Sequence, residues 1–394
     1  LYDDHQGPPE LLWFRAGYLM YWTKQGPLSG PLVTTGPADG TGSLSDPRTK
    51  VLYGNSDVDY GRFNGMQYDL GAWLDDQHVW GIAASGFLLE QRAVGAQFNS
   101  DAGGSPLLAR PFNNITTIVN QLPSGTPVGY QVTAPGAFSG GIDVESTTRL
   151  WGAEVNAVRN LVACPGFTFD LVAGFRYIDL EEQLLISSQS QQLAGGTLVF
   201  DPFRNGGTVP ATLPGGSVVS VSDRFHTRNQ FYGGQGGLQA ECTRGAFSVS
   251  VLAQLAVGPN HETVSVAGQS TARTPDGATQ SLPSGLYADT GTNTGRSTTN
   301  WFALSPEVDV RCGYHFTESI FAFVGYNFLY LNNVARPGTE VNENVNLAFV
   351  PTSLSYRSFP AAVPAQVPLF QPAPLSKRED FWAQGLQFGV EFKY

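Results

Sequence analysis

Hydrophobic and polar residues alternate with a period of two along much of this chain, in runs as long as a tilted membrane-spanning strand needs, roughly 9 to 11 residues. The C-terminal run is the clearest. Trp382, Leu386, Phe388, Val390, Phe392 and Tyr394 share one face, with Gln384 its only polar member, while Ala383, Gly385, Gln387, Gly389, Glu391 and Lys393 share the other. Comparable runs occupy 11–23, 62–74, 78–90, 146–159, 167–180, 226–241, 246–258, 301–314, 319–331 and 380–394. They predict about ten strands, with twelve as the alternative. Alternation alone fits a soluble sandwich, whose apolar face meets a core, as well as an outer-membrane barrel, whose apolar face meets lipid.

The connections decide between them. Short ones lie at Asp75 to Gln77, Leu161 to Gly166, Cys242 to Gly245 and His315 to Glu318; long ones cover about 24–61, 91–145, 181–225, 259–300 and 332–379. Short and long alternate strictly, and the long ones far exceed ordinary loop lengths. A sandwich has no reason to gather its long loops at one end, whereas a transmembrane barrel has short periplasmic turns and long extracellular loops. The prediction is all-β: a single antiparallel up-and-down transmembrane barrel spanning 1–394, with a periplasmic tail at 1–10. An even strand count puts both termini in the periplasm and lets the first strand close against the last. The loops carry apolar side chains, Leu107, Leu108 and Phe112, Phe200 and Phe203, and Phe359, Leu369 and Phe370, so they are expected to pack into a cap.

Composition agrees. Charged residues make up 14% of the chain, against about 25% in a soluble domain. The 46 glycines and 26 prolines favour turns over long helices. No run approaches 18 apolar residues, which excludes a helical span. The chain begins at Leu1, and prior removal of a targeting segment is expected. The net charge of −11 with scattered basic residues argues against nucleic acid as a partner. Expected partners are outer-membrane lipid, the barrel-insertion machinery, and either further copies of the chain or a larger outer-membrane complex.

Parity places Arg15, Asp69, Glu154, Arg176, Glu241, Glu307, Asp309, Arg311 and Glu391 on the inward face. This network reads either as a path for ions or solutes or as a paired polar plug. The plug is favoured, because barrels near eight strands have interiors that side chains just fill. Two Arg-Pro pairs, Arg110-Pro111 and Arg336-Pro337, stand in different long loops. They read as loop anchors in preference to a site for an anionic group. A surface protease would need His and Asp at the rim; only His226 and His261 qualify, with Asp223 as a partner for either. His5, His78 and His315 belong to the periplasmic side, and no catalytic set assembles. Asn55, Asp57 and Asp59 resemble the start of a calcium loop, but Gly61 misses the sixth position and Met66 stands at the twelfth. No metal site and no cofactor are expected. Cys164, Cys242 and Cys312 all fall at the short-turn end and are expected to be free thiols. Gly234 and Gly236 face outward, where small residues either let another barrel approach or relieve strand curvature.

Several segments, taken in order, resemble a planctomycete outer-membrane β-barrel family: Phe14 to Leu19 with Tyr21-Trp22, Leu108 to Phe112, Arg149 to Glu154, Ala173 to Tyr177, Phe323 to Phe328, Asn333 to Gly338 and Phe381 to Leu386. The resemblance spans nearly the whole chain. It implies location and architecture, not an activity. Phe388, Val390, Phe392 and the terminal Tyr394 also resemble a barrel-insertion signal. The function expected is a structural or surface-interaction role with a plugged lumen; the alternatives are a narrow channel or porin for small solutes and, last, a rim-sited protease.

Overall fold

The computed structural model describes residues 11–116, 125–201, 212–356 and 370–394. Ten strands form the wall: β1 (Leu12–Thr23), β2 (Phe63–Trp73), β3 (Trp80–Leu89), β4 (Phe138–Cys164), β5 (Phe167–Gln192), β6 (Val218–Arg244), β7 (Phe247–Arg273), β8 (Gly295–His315), β9 (Ile320–Val334) and β10 (Glu379–Lys393). Each pairs antiparallel with the next, and β1 pairs with β10 from Trp13↔Lys393 to Thr23↔Ala383, which closes the ring. Closure leaves no open sheet edge, the condition for strands to cross a membrane.

The alternation becomes two faces. Met66, Leu70, Phe175, Leu255 and Phe302 stand exposed on the outside. Two aromatic girdles bound this apolar band. At the long-loop end Trp151, Tyr177 and Tyr232 lie with successive ring centroids 5.0 Å apart. At the short-turn end Phe247, Tyr314 and Phe316 follow each other at 5.2 Å. Ten residues of β6 separate Tyr232 from Cys242 at the other end; at about 3.3 Å per residue and a tilt near 40°, that is about 25 Å, the height of a barrel's lipid belt. Above the upper girdle the outer face turns charged, with Arg228 on Asp179 at 2.6 Å and Arg149 on Glu181 at 3.7 Å.

The long connections are only partly loops. β4 to β7 run for 26 or 27 residues, more than twice what the band requires. Much of the predicted loops at 91–145, 181–225 and 259–300 is therefore barrel wall projecting beyond the belt. Arg92–Asn99 takes over the edge of β4 where β3 ends. The sequence pattern missed these extensions because above the belt the outer face is polar and the fat-or-polar contrast fades. Inside the projecting wall sits a small second sheet of Val33–Gly36, Lys50–Tyr53, Leu107–Asn114, Thr126–Thr133 and Asn344–Val345. Leu107, Leu108, Phe112 and Phe200 are buried there as cap residues, as expected, but Phe370 is 44% exposed and anchors little. Phe203, Phe359, Leu369 and the 1–10 tail lie outside the described residues.

Candidate functional site in the barrel lumen

Three layers fill the barrel. The lowest, toward the short turns, is a polar vestibule of about 590 Å³, and all nine charged residues expected on the inward face line it. Eight of them sit in ion pairs, and Glu241, among the described residues, does not. Arg15 donates to Glu391 and lies 3.8 Å from Asp69. Arg176 bridges Glu154 at 2.7 Å and Glu307 at 2.5 Å. Arg311 meets Asp309 at 2.8 Å, and Glu241 accepts from Ser248 Oγ at 2.7 Å. Amides complete the network: Gln235 donates to Glu154 at 2.9 Å, Asn327 to Glu307 at 2.6 Å and Gln387 to Asp309 at 2.5 Å. Asp170 and Lys393 also line the vestibule, as their parity with Arg176 and Glu391 allows. Pairing of this kind is what makes charge tolerable away from bulk water.

The middle layer is apolar. Every strand of the wall turns at least one buried hydrophobic residue into a single cluster, among them Tyr21 of β1, Phe63 of β2, Leu150 of β4, Phe231 of β6, Leu331 of β9 and Phe381 of β10. Val58, Tyr60 and Val334 reach it from the long connections and the end of β9. None of this layer stood among the predicted site residues, although it obeys the same parity rule.

The third layer is the cap, tied down by the two Arg-Pro sites. Arg110 is fully buried against Asp223 of β6, with its guanidinium 4.7 Å above the Tyr287 ring. Asp223 Oδ1 accepts the backbone N–H groups of Leu286, Tyr287 and Ala288 at 2.7–2.9 Å, and Tyr287 Oη donates to the Pro111 carbonyl at 2.7 Å. A Cβ on Gly285 would stand 2.1 Å from that carboxylate, so only glycine allows the approach. Arg336 is fully buried on Glu182 of β5, at 2.9 Å for the Nη2 contact, and lies over Phe381. Pro337 opens the 3-10 turn Pro337–Glu340. The anchors' acidic partners could not be chosen from sequence, because each is hundreds of ångströms of chain away.

The protease constellation does not assemble. His226 lies on the outer face with Glu181 at 3.0 Å, whereas Asp223 points inward to Arg110, three residues away and on the opposite face. His261 meets Asn300 at 2.7 Å. At the short-turn end His78 stacks on Trp73 and His315 packs tilted against Phe321, and His5 lies outside the described residues. In the calcium-like segment, Asp59 accepts from its own turn at Gly61 N, 2.8 Å away.

A family model described as "Putative beta barrel porin-7" matches residues 13–394. The chain belongs to that family. Its match begins in β1 and ends at the last residue, so it covers the wall and the cap together. No curated protein matches the sequence. Among solved structures, the chain is similar to the outer membrane protease OmpT from Escherichia coli at 10% identity, covering 98% of this chain and 97% of that one with a TM-score of 0.40. It is also similar to the Pseudomonas putida toluene transporter TodX (10%, 98% and 90%, TM-score 0.23) and to a Pseudomonas aeruginosa FadL homologue (7%, 97% and 90%, TM-score 0.22). The protein is an outer-membrane β-barrel.

Proposed function

We propose that this family member is a closed barrel with a structural or surface-interaction role and no catalytic activity, in the outer membrane of a planctomycete-type envelope. Its short turns and both termini face the periplasm, and its projecting wall and cap face outward, following the general asymmetry of such barrels. The observation that carries this reading is the apolar middle layer to which all ten strands contribute. A layer of aliphatic and aromatic side chains denies water a continuous path, and a solute crossing it would shed its hydration at large cost. The cap, locked by Arg110 and Arg336, stands behind that layer. Phe388, Val390, Phe392 and Tyr394, on the outer face of β10, serve as the insertion signal for the barrel-assembly machinery.

The protein's neighbours are lipid and other barrels. Gly234 and Gly236 leave open space on the outer face of β6. Across the register Gly236 meets Ala173 of β5 and, beyond it, Ala157 of β4, while Gly234 lies beside the exposed Phe175; the row from Gly236 to Ala157 is a shallow strip that a second barrel can approach closely.

Full-length protein reconstituted in planar bilayers is expected to pass no steady current, and replacing Tyr21 and Phe231 together by serine is expected to open one. Large steady currents from the unaltered chain would overturn the closed reading in favour of a porin for small solutes.

A further inference from the structure

The vestibule is more than a filled plug. Seven carboxylates line it against four Lys or Arg side chains. All four cations are committed: Arg15 to Glu391 and Asp69, Arg176 to Glu154 and Glu307, Arg311 to Asp309, and Lys393 to Glu391. Asp170 and Glu241 are left over. Asp170 accepts from Asn160 Nδ2 at 2.7 Å, and Glu241 from Ser248 Oγ at 2.7 Å; neither meets a cation. They are neighbours, because Asp170 of β5 pairs with Gln239 of β6. Glu241 is thus its diagonal partner on the same inward face, with Cα atoms about 7–8 Å apart. Two carboxylates so placed, without a counter-ion, attract a positive group between them.

A separate observation shows that the vestibule's polar needs are not met from within the chain. Arg176, 3% exposed and lining the same space, has no hydrogen-bond partner for Nη1, and an orphaned buried donor is costly. The opposite wall differs in chemistry. β1 stands opposite β6 in the ten-membered ring, with β2 beside it, and there Trp13 and Trp73 line the vestibule with ring centroids 5.5 Å apart. The volume falls within the range of small-molecule sites and far exceeds an ion's. Among the described residues no group of three His, Cys, Asp or Glu is placed to hold a metal.

We propose that the vestibule binds a small organic ammonium ion with an aromatic or apolar body, entering from the short-turn end. The ammonium sits between Asp170 and Glu241, and the body lies toward Trp13 and Trp73. Cation attraction and ring contact act together, so a simple inorganic cation gains only the first and an aromatic acid only the second.

Titration calorimetry on the full chain in detergent, with phenethylamine as the probe, tests this. Saturable binding is expected, weakened at least tenfold in the Asp170→Asn, Glu241→Gln double variant, with no binding of phenylacetate. Retained heat-modifiable migration on gels shows that the variant is still a folded barrel; if it is not, Asp170→Asn alone is expected to weaken binding severalfold. Absence of saturable binding, equal binding to the folded variant, equal binding of phenylacetate, or full displacement by millimolar calcium would overturn the proposal. The site stands on the vestibule and not on the sealed middle layer: phenethylamine binding in a conducting barrel would keep it while ending the closed-barrel reading.

Discussion

Arg336 and Glu182 are both fully buried, and the balance of such a pair depends on both members being present. Removing one charge strands the other, which costs about 3–5 kcal/mol. Arg336→Met is therefore expected to destabilise the cap by about that amount, read as faster proteolysis of the long connections and a lower unfolding midpoint. Adding Glu182→Gln to the same chain is expected to recover a good part of the loss, since no bare charge remains. Glu340, in the 3-10 turn beside this anchor, behaves differently. Burial pushes its carboxyl up to about 8, opposed by Arg378 and reinforced by the neighbouring Glu262. The folded protein thus holds a proton that the unfolded chain releases above about 4.5. Stability from this group is full below that pH and is lost as pH rises toward 8. Protection against amide hydrogen exchange around 335–345, corrected for the intrinsic base-catalysed rate, is expected to fall between about pH 5 and 8, and Glu340→Gln to flatten that dependence. The Arg-Pro pairs could be read as anchors because a bidentate guanidinium and a fixed proline φ suit that role, with recognition of an anionic group as the other reading. Glu182, Asp223 and Glu340 were not, because nothing local distinguishes a carboxylate that faces a distant guanidinium from one that faces water.

Within single elements the alternation rule performed best inside the lipid belt, where the two faces contrast most. All ten membrane runs appear as strands, and the bulge between Phe169 and Asp170 in the β5 pairing with β4 does not disturb the inward placement of Arg176. Register also settles the cysteines. Phe167 pairs with both Cys164 and Cys242, and Val249 with both Cys242 and Cys312. The three thus lie in one row on alternate strands, about 10 Å apart, beyond the roughly 7 Å a disulfide can span. All three are exposed and free. Mass spectrometry after alkylation without reduction is expected to find three modified thiols, and a Cys242 to Cys312 crosslink would contradict the register. Where the strands leave the belt, the rule weakened. The outer face there carries Arg149, Glu181, His226 and Arg228 while the inner face stays mixed, so β4 to β7 run 8 to 15 residues beyond their predicted ends.

For the whole molecule, the proposed orientation puts the projecting wall outside the cell, and the proposed association uses the outer face of β6. With the native cysteines replaced by serine, single cysteines at Ser139 and Gly277 are expected to react with an impermeant maleimide on intact cells, and one at Asp76 to stay silent. Labelling of Asp76 alone would invert the barrel. A bulky residue on the flat outer patch is expected to split any assembly: Gly236→Trp should shift the mild-detergent form toward the monomer without altering heat-modifiable migration. If the unaltered protein is already monomeric in mild detergent, the patch relieves curvature and does not bind a neighbour.

By itself the sequence determined about ten strands, their closure end to end, the gathering of the long connections at one end of the barrel and the nine charges that line the lumen. These are consequences of a period-two chain whose two faces meet different solvents, and each can be read from neighbours along the strand. Only the tertiary structure decided that the lumen is layered. The cap sheet is assembled from segments more than 300 residues apart, such as Val33–Gly36 and Asn344–Val345. The apolar septum takes side chains from all ten strands, and the choice of partner for each buried arginine depends on contacts across the ring. In a barrel, strand neighbours are set by order along the chain, but residues facing across the lumen are set by curvature and stagger, which no local pattern encodes.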